Sequence, residues 1–203
     1  MNISVCLTTL NAEPSLARCL QSVRGIADEI VIIDNGSSDR TPFIATDFNA
    51  RFIRNPDNAN GNALALQKAT RDWVLFLDAN DELSAELQQS LSAVKNGTPA
   101  VSGYQLNQVR NFGGQLVRFG KNYPNLQLRL VEKAKAQFDA NHQLTVSGST
   151  QPLDGELIQH ANSKLLQNPP PYSLIGALQN HLFKGGISQG GFGWQISRLD
   201  AKK

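Results

Sequence analysis

The sequence predicts an α/β fold, in which a mainly parallel central sheet is flanked by helices and is followed by a mixed or antiparallel portion. Two observations predict it. In the first half of the chain, short apolar runs alternate with stretches whose apolar residues recur at helical spacing, a pattern typical of a parallel sheet covered on both faces. Later, Gly113 and Gly114 separate two further apolar runs, which favours an antiparallel hairpin.

The elements of the first half follow from local patterns. Strands are predicted where apolar residues cluster, over residues 3–9, 29–34, 51–54 and 73–78. Helices are predicted to begin with Pro14 in a first turn, with Thr41 as a cap before Pro42, at Ala63 after an Asn-rich loop, and behind Ser84 as a cap. The first of these helices is expected to end at Gly25, the third at Thr70 and the last at Gly97.

The second half gives weaker signals. Strands are expected over residues 100–112, 115–119, 125–131 and 157–160. A helix is expected over residues 172–184, behind three consecutive prolines that form a stiff joint. We therefore expect one domain in three parts: an α/β half over residues 1–99, strands and hairpins over 100–168, and a C-terminal helix and tail over 169–203.

Composition excludes several classes of protein. A chain of 203 residues with a net charge of +2 is long enough for one core and too weakly basic to indicate nucleic-acid binding. Cys6 and Cys19 lie in apolar patterns, so both are interpreted as buried thiols without a disulfide or zinc role. We see no signal peptide and no apolar window long enough to span a membrane. A cytoplasmic location is the resulting expectation.

Polar residues follow three of the predicted strands. They are Thr9 and Asn11 after the first, Asp34 after the second, and the acidic run that starts at Asp78 after the fourth. The carboxyl ends of parallel strands meet at one edge, where ligands bind in open α/β sheets. Carboxylates there suit a hard divalent cation that carries a phosphorylated ligand. The alternative is an ordinary polar turn before a helix, since acids near helix starts are common for dipole reasons alone.

Two familiar phosphate-binding patterns are absent from the sequence, namely the Gly-x-Gly-x-x-Gly of dinucleotide sites and the Gly-Lys-Ser/Thr loop. The motifs that are present resemble the family-2 glycosyltransferases of the GT-A fold, and specifically the lipopolysaccharide-core glucosyltransferase branch. The matching stretches are residues 5–11, 27–41 and 69–82, followed in that branch by residues 102–104, 111–114, 123–124 and 127–130.

The resemblance implies roles for individual residues. The donor would be a UDP-sugar, and its nucleotide would be bound by Thr9, Asn11, Asp34, Asn62 and Asp78. A Mg²⁺ or Mn²⁺ ion on the diphosphate would be held by Asp78, Asn80 and Asp81. The family's His-Glu pair would align with His142 and Gln143 as the catalytic positions of an inverting transfer. Residues 1–99 would then bind the nucleotide-sugar, and residues 100–168 would face the acceptor.

The sequence departs from the family pattern at three places. The family's second metal acid is Asn80, its Arg-containing loop reads Asn60-Gly61-Asn62, and its catalytic Glu is Gln143. Each change removes a charge, and Gln cannot accept a proton. The loss of a general base costs roughly 10²–10⁴ in rate. The sequence therefore keeps three functions open: a sugar transferase, a relative that binds a nucleotide or glycan without turnover, and a nucleotidyltransferase.

Partners are inferred from the same resemblance. We expect a nucleotide-sugar donor, a cell-envelope glycan or glycolipid acceptor, and no nucleic acid. Residues 103–138 carry six basic residues and one acid, so this segment is predicted either to contact phosphates or the inner face of the membrane, or to be an ordinary solvated surface. In the membrane alternative, Arg118, Lys121 and Arg129 are the residues expected to face anionic lipid. Trp73 is expected to pack in the core and His160 to be a hydrogen-bonded structural residue, whereas Trp194 in the Gly-rich tail is left open.

Overall fold

The computed structural model describes residues 1–56, 60–112, 115–118 and 123–160. The predicted helix over 172–184, Trp194, Lys121 and the Gly113-Gly114 turn itself lie outside the described residues. Two compact units are distinguished. Of the described residues, those within 1–107 and 126–157 belong to one unit, and those within 108–125 and 158–160 belong to the other.

The first half of the chain has the predicted alternation of strands and helices. Its elements are β1 (Ile3–Thr9), α1 (Leu16–Ser22), β2 (Glu29–Asp34), α2 (Thr41–Asp47), β3 (Arg51–Arg54), α3 (Gly61–Lys68), β4 (Trp73–Asp78), β5 (Asp81–Leu83) and α4 (Ala85–Asn96). The four predicted strands of this half and the Ser84 cap are confirmed. β5 was not predicted, because three residues are too few to show a period.

Three helix starts differ from the prediction. Pro14 lies in the turn before α1 rather than in its first turn. Thr41 is the first helical residue of α2, and Arg40 occupies the cap position. α3 begins at Gly61, two residues early, because Asn60 accepts a hydrogen bond from the Ala63 N–H and so caps the helix.

The second half is mostly strand. Its elements are β6 (Gly103–Phe112), β7 (Gln115–Val117), β8 (Leu126–Glu132), β9 (Ala136–Phe138), β10 (Leu144–Val146) and β11 (Thr150–His160), with a 3₁₀ turn at Lys133–Lys135. The antiparallel pairing of β6 with β7 confirms the hairpin prediction. The strand predicted over 157–160 is only the end of β11, and β9 and β10 were missed because each is three residues long.

Within the described residues, the main sheet has the order β3-β2-β1-β4-β8-β6-β11-β5, and β7 pairs with β6. β1 pairs in parallel with β2 and with β4, whereas β8 is antiparallel to both β4 and β6. β9 and β10 form a separate antiparallel pair. The predicted fold class, a mainly parallel sheet with a mixed and antiparallel continuation, is confirmed.

Two apolar clusters cover the two faces of the sheet. Successive β1 residues alternate between them, with Val5 and Leu7 in one cluster and Cys6 in the other, as the two-residue period of a strand requires. Trp73 is 6% exposed and packs against Tyr104 with ring centroids 5.8 Å apart, which confirms its packing role. Both cysteines are buried thiols as predicted, and burial raises the pKa of each. Among the described residues, no helix is long and apolar enough to cross a membrane.

Two glycines allow close contacts that position neighbouring elements. A Cβ on Gly61 would lie 2.8 Å from both Cγ2 and Oγ1 of Thr8, so α3 starts directly against the end of β1. Gly155 has a φ of +94°, and a Cβ there would lie 2.3 Å from the Leu87 backbone nitrogen. β11 therefore crosses the first turn of α4 at a distance that only glycine permits.

Candidate functional site

The carboxyl ends of three neighbouring strands meet at one edge of the sheet. In the ladders on either side of β1, Thr9 pairs with Asp34 of β2 and Thr8 pairs with Asp78 of β4. The polar residues that were predicted at these strand ends therefore lie side by side. This edge is the candidate site.

Asp34 is buried and organises the turn that follows β2. Its Oδ1 accepts hydrogen bonds from Thr9 Oγ1 at 3.0 Å and from Ser37 Oγ, and its Oδ2 accepts from the backbone N–H groups of Gly36 and Ser37 at 3.1 and 2.9 Å. Gly36 has a φ of +98°, which suits glycine. A carboxylate with four donors holds this turn in one conformation.

The turn after β1 is bonded to the turn after β2. Asn11 has a φ of +50°, its N–H donates to Ser37 Oγ at 2.8 Å, and its Oδ1 accepts from the Ser38 N–H at 2.9 Å. The Ala12 N–H donates to Thr41 Oγ1 at 2.8 Å. We refer to residues 10–15 and 35–40 together as the base-side turns.

A second set of contacts joins the same two turns further out. The Glu13 N–H donates to Asp39 Oδ2 at 3.0 Å, and the Arg40 N–H donates in return to Glu13 Oε2 at 3.1 Å. Partial burial raises the pKa of Asp39, but hydrogen bonds from Thr41 and Glu13 outweigh it, so the pKa lies below its ordinary value. Asp39 is therefore held as a carboxylate.

The start of α3 lies against the end of β1. Asn62, a predicted nucleotide-binding residue, accepts a hydrogen bond at Oδ1 from Thr8 Oγ1 at 2.9 Å. Gly61 makes this close approach possible. Asn62 thus lies at the same edge as Thr9 and Asp78, and its nucleotide-binding role stays a prediction.

His142 is brought to the cap of α3 from the far side of the sequence. It lies in a turn between β9 and β10, residues 139–143, which we call the His142 turn. Its Nδ1 is 2.8 Å from Asn60 Nδ2. Because Asn60 Oδ1 accepts the Ala63 N–H, the amide nitrogen faces the imidazole and donates to Nδ1, and in the neutral ring the proton is on Nε2.

Gln143 is exposed, and its backbone is fixed by Asp139. The Gln143 N–H donates to Asp139 Oδ1 at 2.9 Å, and the Asp139 N–H donates to the Gln143 carbonyl oxygen at 3.0 Å. His142 has a φ of +60° in this turn. The structure therefore presents both predicted catalytic positions on one short turn, which is linked to the sheet edge through Asn60.

The three predicted metal ligands, in the segment 78–81 that we call the acidic turn, differ in exposure. The Asp78 side chain is 53% exposed, Asn80 is half-buried, and Asp81 is fully buried. Asp81 Oδ2 accepts the Asp78 N–H at 2.8 Å, so this carboxylate braces the turn from inside. The metal role of Asp81 stays a prediction, and its position favours bracing.

Asp78 and Asn80 fit a shared metal ion better than an all-protein site. Within residues 1–56, 60–112, 115–118 and 123–160, no three His, Cys, Asp or Glu side chains are grouped to hold a metal ion. Mg²⁺ is commonly held by one or two protein oxygens together with substrate phosphates. One carboxylate and one amide on a single turn match that chemistry.

Arg129 is a residue of the candidate site that the sequence did not single out. It was counted in the basic segment predicted to meet phosphates, a membrane or solvent, but its side chain is only 19% exposed and its Nη2 lies 3.6 Å from Asp78 Oδ2. Arg129 therefore lies beside Asp78 at the candidate site, and its contact with phosphates or with a membrane stays a prediction. A single arginine within the apolar residues of β8 was the available signal.

A family model described as Glycosyl transferase family 2 matches residues 4–152. The chain belongs to this family. The resemblance identified from the strand-end motifs is thus confirmed, and the matched range includes every predicted site residue from Thr9 to Gln143.

Relatives of this family-2 glycosyltransferase have varied descriptions. It is 31% identical to a TPR repeat-containing protein of Synechococcus elongatus, over 63% of this chain and 33% of that protein. It is 37% identical to an uncharacterized glycosyltransferase of Rickettsia typhi, over 45% and 32%. It is 26% identical to the lipopolysaccharide core biosynthesis glycosyltransferase LpsC of Rhizobium meliloti, over 70% and 55%. The matches thus span about a third of the first two relatives and about half of the third.

Solved structures agree on the fold. The crystal structure of S. aureus TarS superposes with a TM-score of 0.58 at 15% identity, covering 79% of this chain and 37% of that one. TarS 1–349 in complex with UDP gives a TM-score of 0.57 at 17% identity, covering 81% and 62%. Together with the family match, this likeness confirms the GT-A fold.

Proposed function

We propose that this family-2 glycosyltransferase binds a UDP-sugar at the carboxyl edge of β1, β2 and β4 and transfers the sugar to a cell-envelope glycan or glycolipid. The observation that carries the proposal is the side-by-side placement of Thr9, Asp34 and Asp78 at that edge. TarS, which shares the fold, has been crystallised with UDP and with UDP-GlcNAc. The relative LpsC is named for lipopolysaccharide core biosynthesis, which supports an envelope acceptor.

The base-side turns are the proposed pocket for the uracil and ribose. Their contacts hold Asn11 and Asp34 in fixed positions before any ligand arrives. Preorganised polar groups bind a nucleotide at a lower entropic cost than mobile ones. Asn62 and Thr8 close the same edge from the α3 side.

The acidic turn is the proposed position of the diphosphate. Asp78 and Asn80 would hold a Mg²⁺ or Mn²⁺ ion jointly with the phosphate oxygens, and a bound ion would neutralise the charge that develops on the leaving diphosphate. Asp81 fixes this turn by accepting the Asp78 N–H. The protein's own contribution is therefore to orient the diphosphate against the strand ends.

The His142 turn is the proposed acceptor side, where an inverting transfer needs a base for the incoming hydroxyl group. Gln143 cannot take a proton, and His142 Nδ1 is engaged by Asn60. This observation favours the second candidate function, a relative that binds the donor and turns it over slowly or not at all. A nucleotidyltransferase is disfavoured, because residues 10–16 contain neither the glycines nor the basic residues of the loop it needs.

Calorimetry with UDP, ADP and GDP tests the donor assignment. We expect UDP to bind more tightly than the other two, because Asn11 and Asp34 are fixed beside each other at the base-side turns. Asp47→Asn, on the exposed surface of α2, is a matched control that should leave the preference unchanged. Equal affinity for the three nucleotides, or no binding of any, would contradict the proposal.

The double change Asn80→Asp with Gln143→Glu tests whether turnover has been lost through neutralised charges. It returns a charged metal ligand and a proton acceptor in near-isosteric side chains. Release of UDP from a panel of UDP-sugars should be slow for the wild type and roughly 10²–10⁴-fold faster for the variant, as expected for a restored base. Brisk wild-type release with no gain in the variant would show that another acid carries the chemistry.

The predicted location stays a prediction. A cytoplasmic protein that binds peripherally to the inner face of the membrane would place the proposed glycolipid acceptor within reach. Of the basic residues first considered for lipid contact, Arg118 is exposed and Arg129 is not. Salt-sensitive sedimentation with anionic but not neutral vesicles would support a peripheral position.

A further inference from the structure

We propose that Arg129 is a built-in cation for the donor diphosphate, so that this chain binds a nucleoside diphosphate through an arginine as well as through any metal ion. The inference rests on the proposed function, since it names a further ligand of the same site. It concerns how the diphosphate is held, and the experiment distinguishes a failure of this contact from a failure of the proposed donor site.

A β-bulge positions Arg129. On β8, Leu130 pairs with Tyr104 of β6, but the next pair along joins Leu128 to Gln105, so Arg129 is the extra residue between them. Bulges re-aim a side chain and occur often beside active sites. The consequence is visible in the core, where Leu128 and Val131 both pack with the same apolar cluster.

The position of the guanidinium group is set by packing as well as by charge. β8 is the antiparallel neighbour of β4, and Leu75 pairs with Leu130. Arg129 Nη2 lies 3.6 Å from Asp78 Oδ2, and the Arg129 side chain is 19% exposed while that of Asp78 is 53% exposed. The cation is therefore held mainly within the protein, with the acid on its solvent side.

The charges of the acidic turn make this cation important. Asn80 is neutral, and Asp81 is buried with Oδ2 bonded to the Asp78 N–H. Asp78 is thus the exposed carboxylate of the turn, and Arg129 already balances it. A dianionic diphosphate arriving here would meet one acid and one arginine, and arginine binds phosphate oxygens in a bidentate geometry.

Two consequences distinguish an Arg129 that binds the diphosphate from an Arg129 that only forms a structural ion pair with Asp78. First, UDP should bind more tightly than uridine even when EDTA removes divalent ions, because Arg129 contacts the phosphates. Second, Asp78 should have opposite effects on UDP affinity in the absence and in the presence of a divalent metal ion. Without metal it competes for Arg129 and repels the diphosphate, whereas with metal it is a ligand.

The experiment measures dissociation constants of UDP and uridine by calorimetry, in EDTA and in Mn²⁺. In EDTA, wild type should bind UDP at least tenfold more tightly than uridine, and Arg129→Gln should lose at least tenfold for UDP with uridine unchanged. Tenfold corresponds to about 1.4 kcal/mol, at the lower end of a hydrogen bond to a charged group. Arg129→Lys, which keeps the charge without the planar fork, should lie between them.

Asp78→Asn tests the expected change of sign in the effect on UDP affinity. It should tighten UDP binding in EDTA and weaken it in Mn²⁺. Arg51→Gln is the matched control, since Arg51 is exposed and donates to the carbonyl oxygen of Lys68 at the C-terminal end of α3. This variant should leave the dissociation constants of both UDP and uridine unchanged. Unchanged uridine affinity reports that each variant is folded.

The outcomes separate the two proposals. If wild type binds neither uridine nor UDP, the proposed donor site fails and this inference fails with it. If wild type binds both ligands equally in EDTA, or if Arg129→Gln keeps the UDP preference, the donor site stands and the role of Arg129 is overturned. If Arg129→Gln does not fold, equal affinities of Arg129→Lys and wild type for both ligands overturn it as well.

Discussion

The two sides of the candidate site are built differently. The base-side turns are joined to each other by reciprocal hydrogen bonds, through Asn11 and Ser38 and through Glu13 and Asp39. On the other side, the exposed side chain of Asp78 in the acidic turn is paired with Arg129 of β8, and His142 in the His142 turn contacts Asn60 at the cap of α3. We infer that the base-side turns are rigid, whereas Asp78 of the acidic turn and His142 of the His142 turn can exchange their contacts.

This difference matches what each side is proposed to bind. A nucleoside is identical in every catalytic cycle, so a fixed pocket costs nothing. A diphosphate changes its charge and partners during transfer, and the acceptor must enter and leave. Contacts that can be exchanged, such as a 3.6 Å ion pair with a 53% exposed acid, allow those changes without unfolding the turn.

The largest expected effect is a difference in the free energy of unfolding between variants of the two sides. Asp34→Ala removes an acceptor that serves four donors, so we expect a loss of about 2–4 kcal/mol in the free energy of unfolding. Asp78→Ala removes one ion pair whose acid is 53% exposed, and should cost less than about 1 kcal/mol. Urea denaturation of both variants measures the difference, and similar losses would break the comparison.

A middle-sized effect tests how the His142 turn is linked. Asn60→Ala should cost about 1 kcal/mol, because it removes the cap of α3. Asn60→Asp keeps a capping oxygen and loses only the donor to His142, so its stability should stay within about 0.5 kcal/mol of wild type. If the aspartate variant is as unstable as the alanine variant, the His142 contact is part of the fold and this side is more rigid than we infer.

The smallest effect is a pH dependence on the base side. The pKa of Asp39 is lowered in the folded protein, so its stabilising contribution is present above its unfolded value and is lost as the pH falls through the folded value. Asp39→Asn should therefore make unfolding less sensitive to acid between about pH 5 and pH 2. Urea midpoints at several pH values measure this slope, with the exposed Asp47→Asn as control. A slope equal to that of wild type would show that Asp39 does not brace the turns.

The sequence was a good guide to the rigid side, for a physical reason. Strand periodicity over residues 3–9 and 29–34, followed by Asn and Asp in tight turns, is local information, and the structure placed those strands within their predicted bounds. Parallel neighbours then bring Thr9 and Asp34 together without any further signal. The family motifs lie in the same local stretches.

The exchangeable side depends on contacts between residues distant in sequence. Asn60 meets His142, 82 positions away, and Asp78 meets Arg129 only because β8 returns antiparallel to β4. Asp81 was predicted as a metal ligand from its place after Asp78, but its burial depends on packing that no local pattern encodes. β5, β9 and β10 are each too short to show a period.

The bulge in β8 has a consequence for insertions and deletions. Leu130 and Leu128 keep their partners on β6 only because one extra residue lies between them. Removing that residue would make the ladder regular, but it would leave no side chain of β8 directed as Arg129 now is. Because a shift of one residue exchanges the two faces of a strand, the cation at this edge is specified by the length of β8 as much as by the amino acid. A single-residue deletion here should harm nucleotide binding more than most substitutions at the same place.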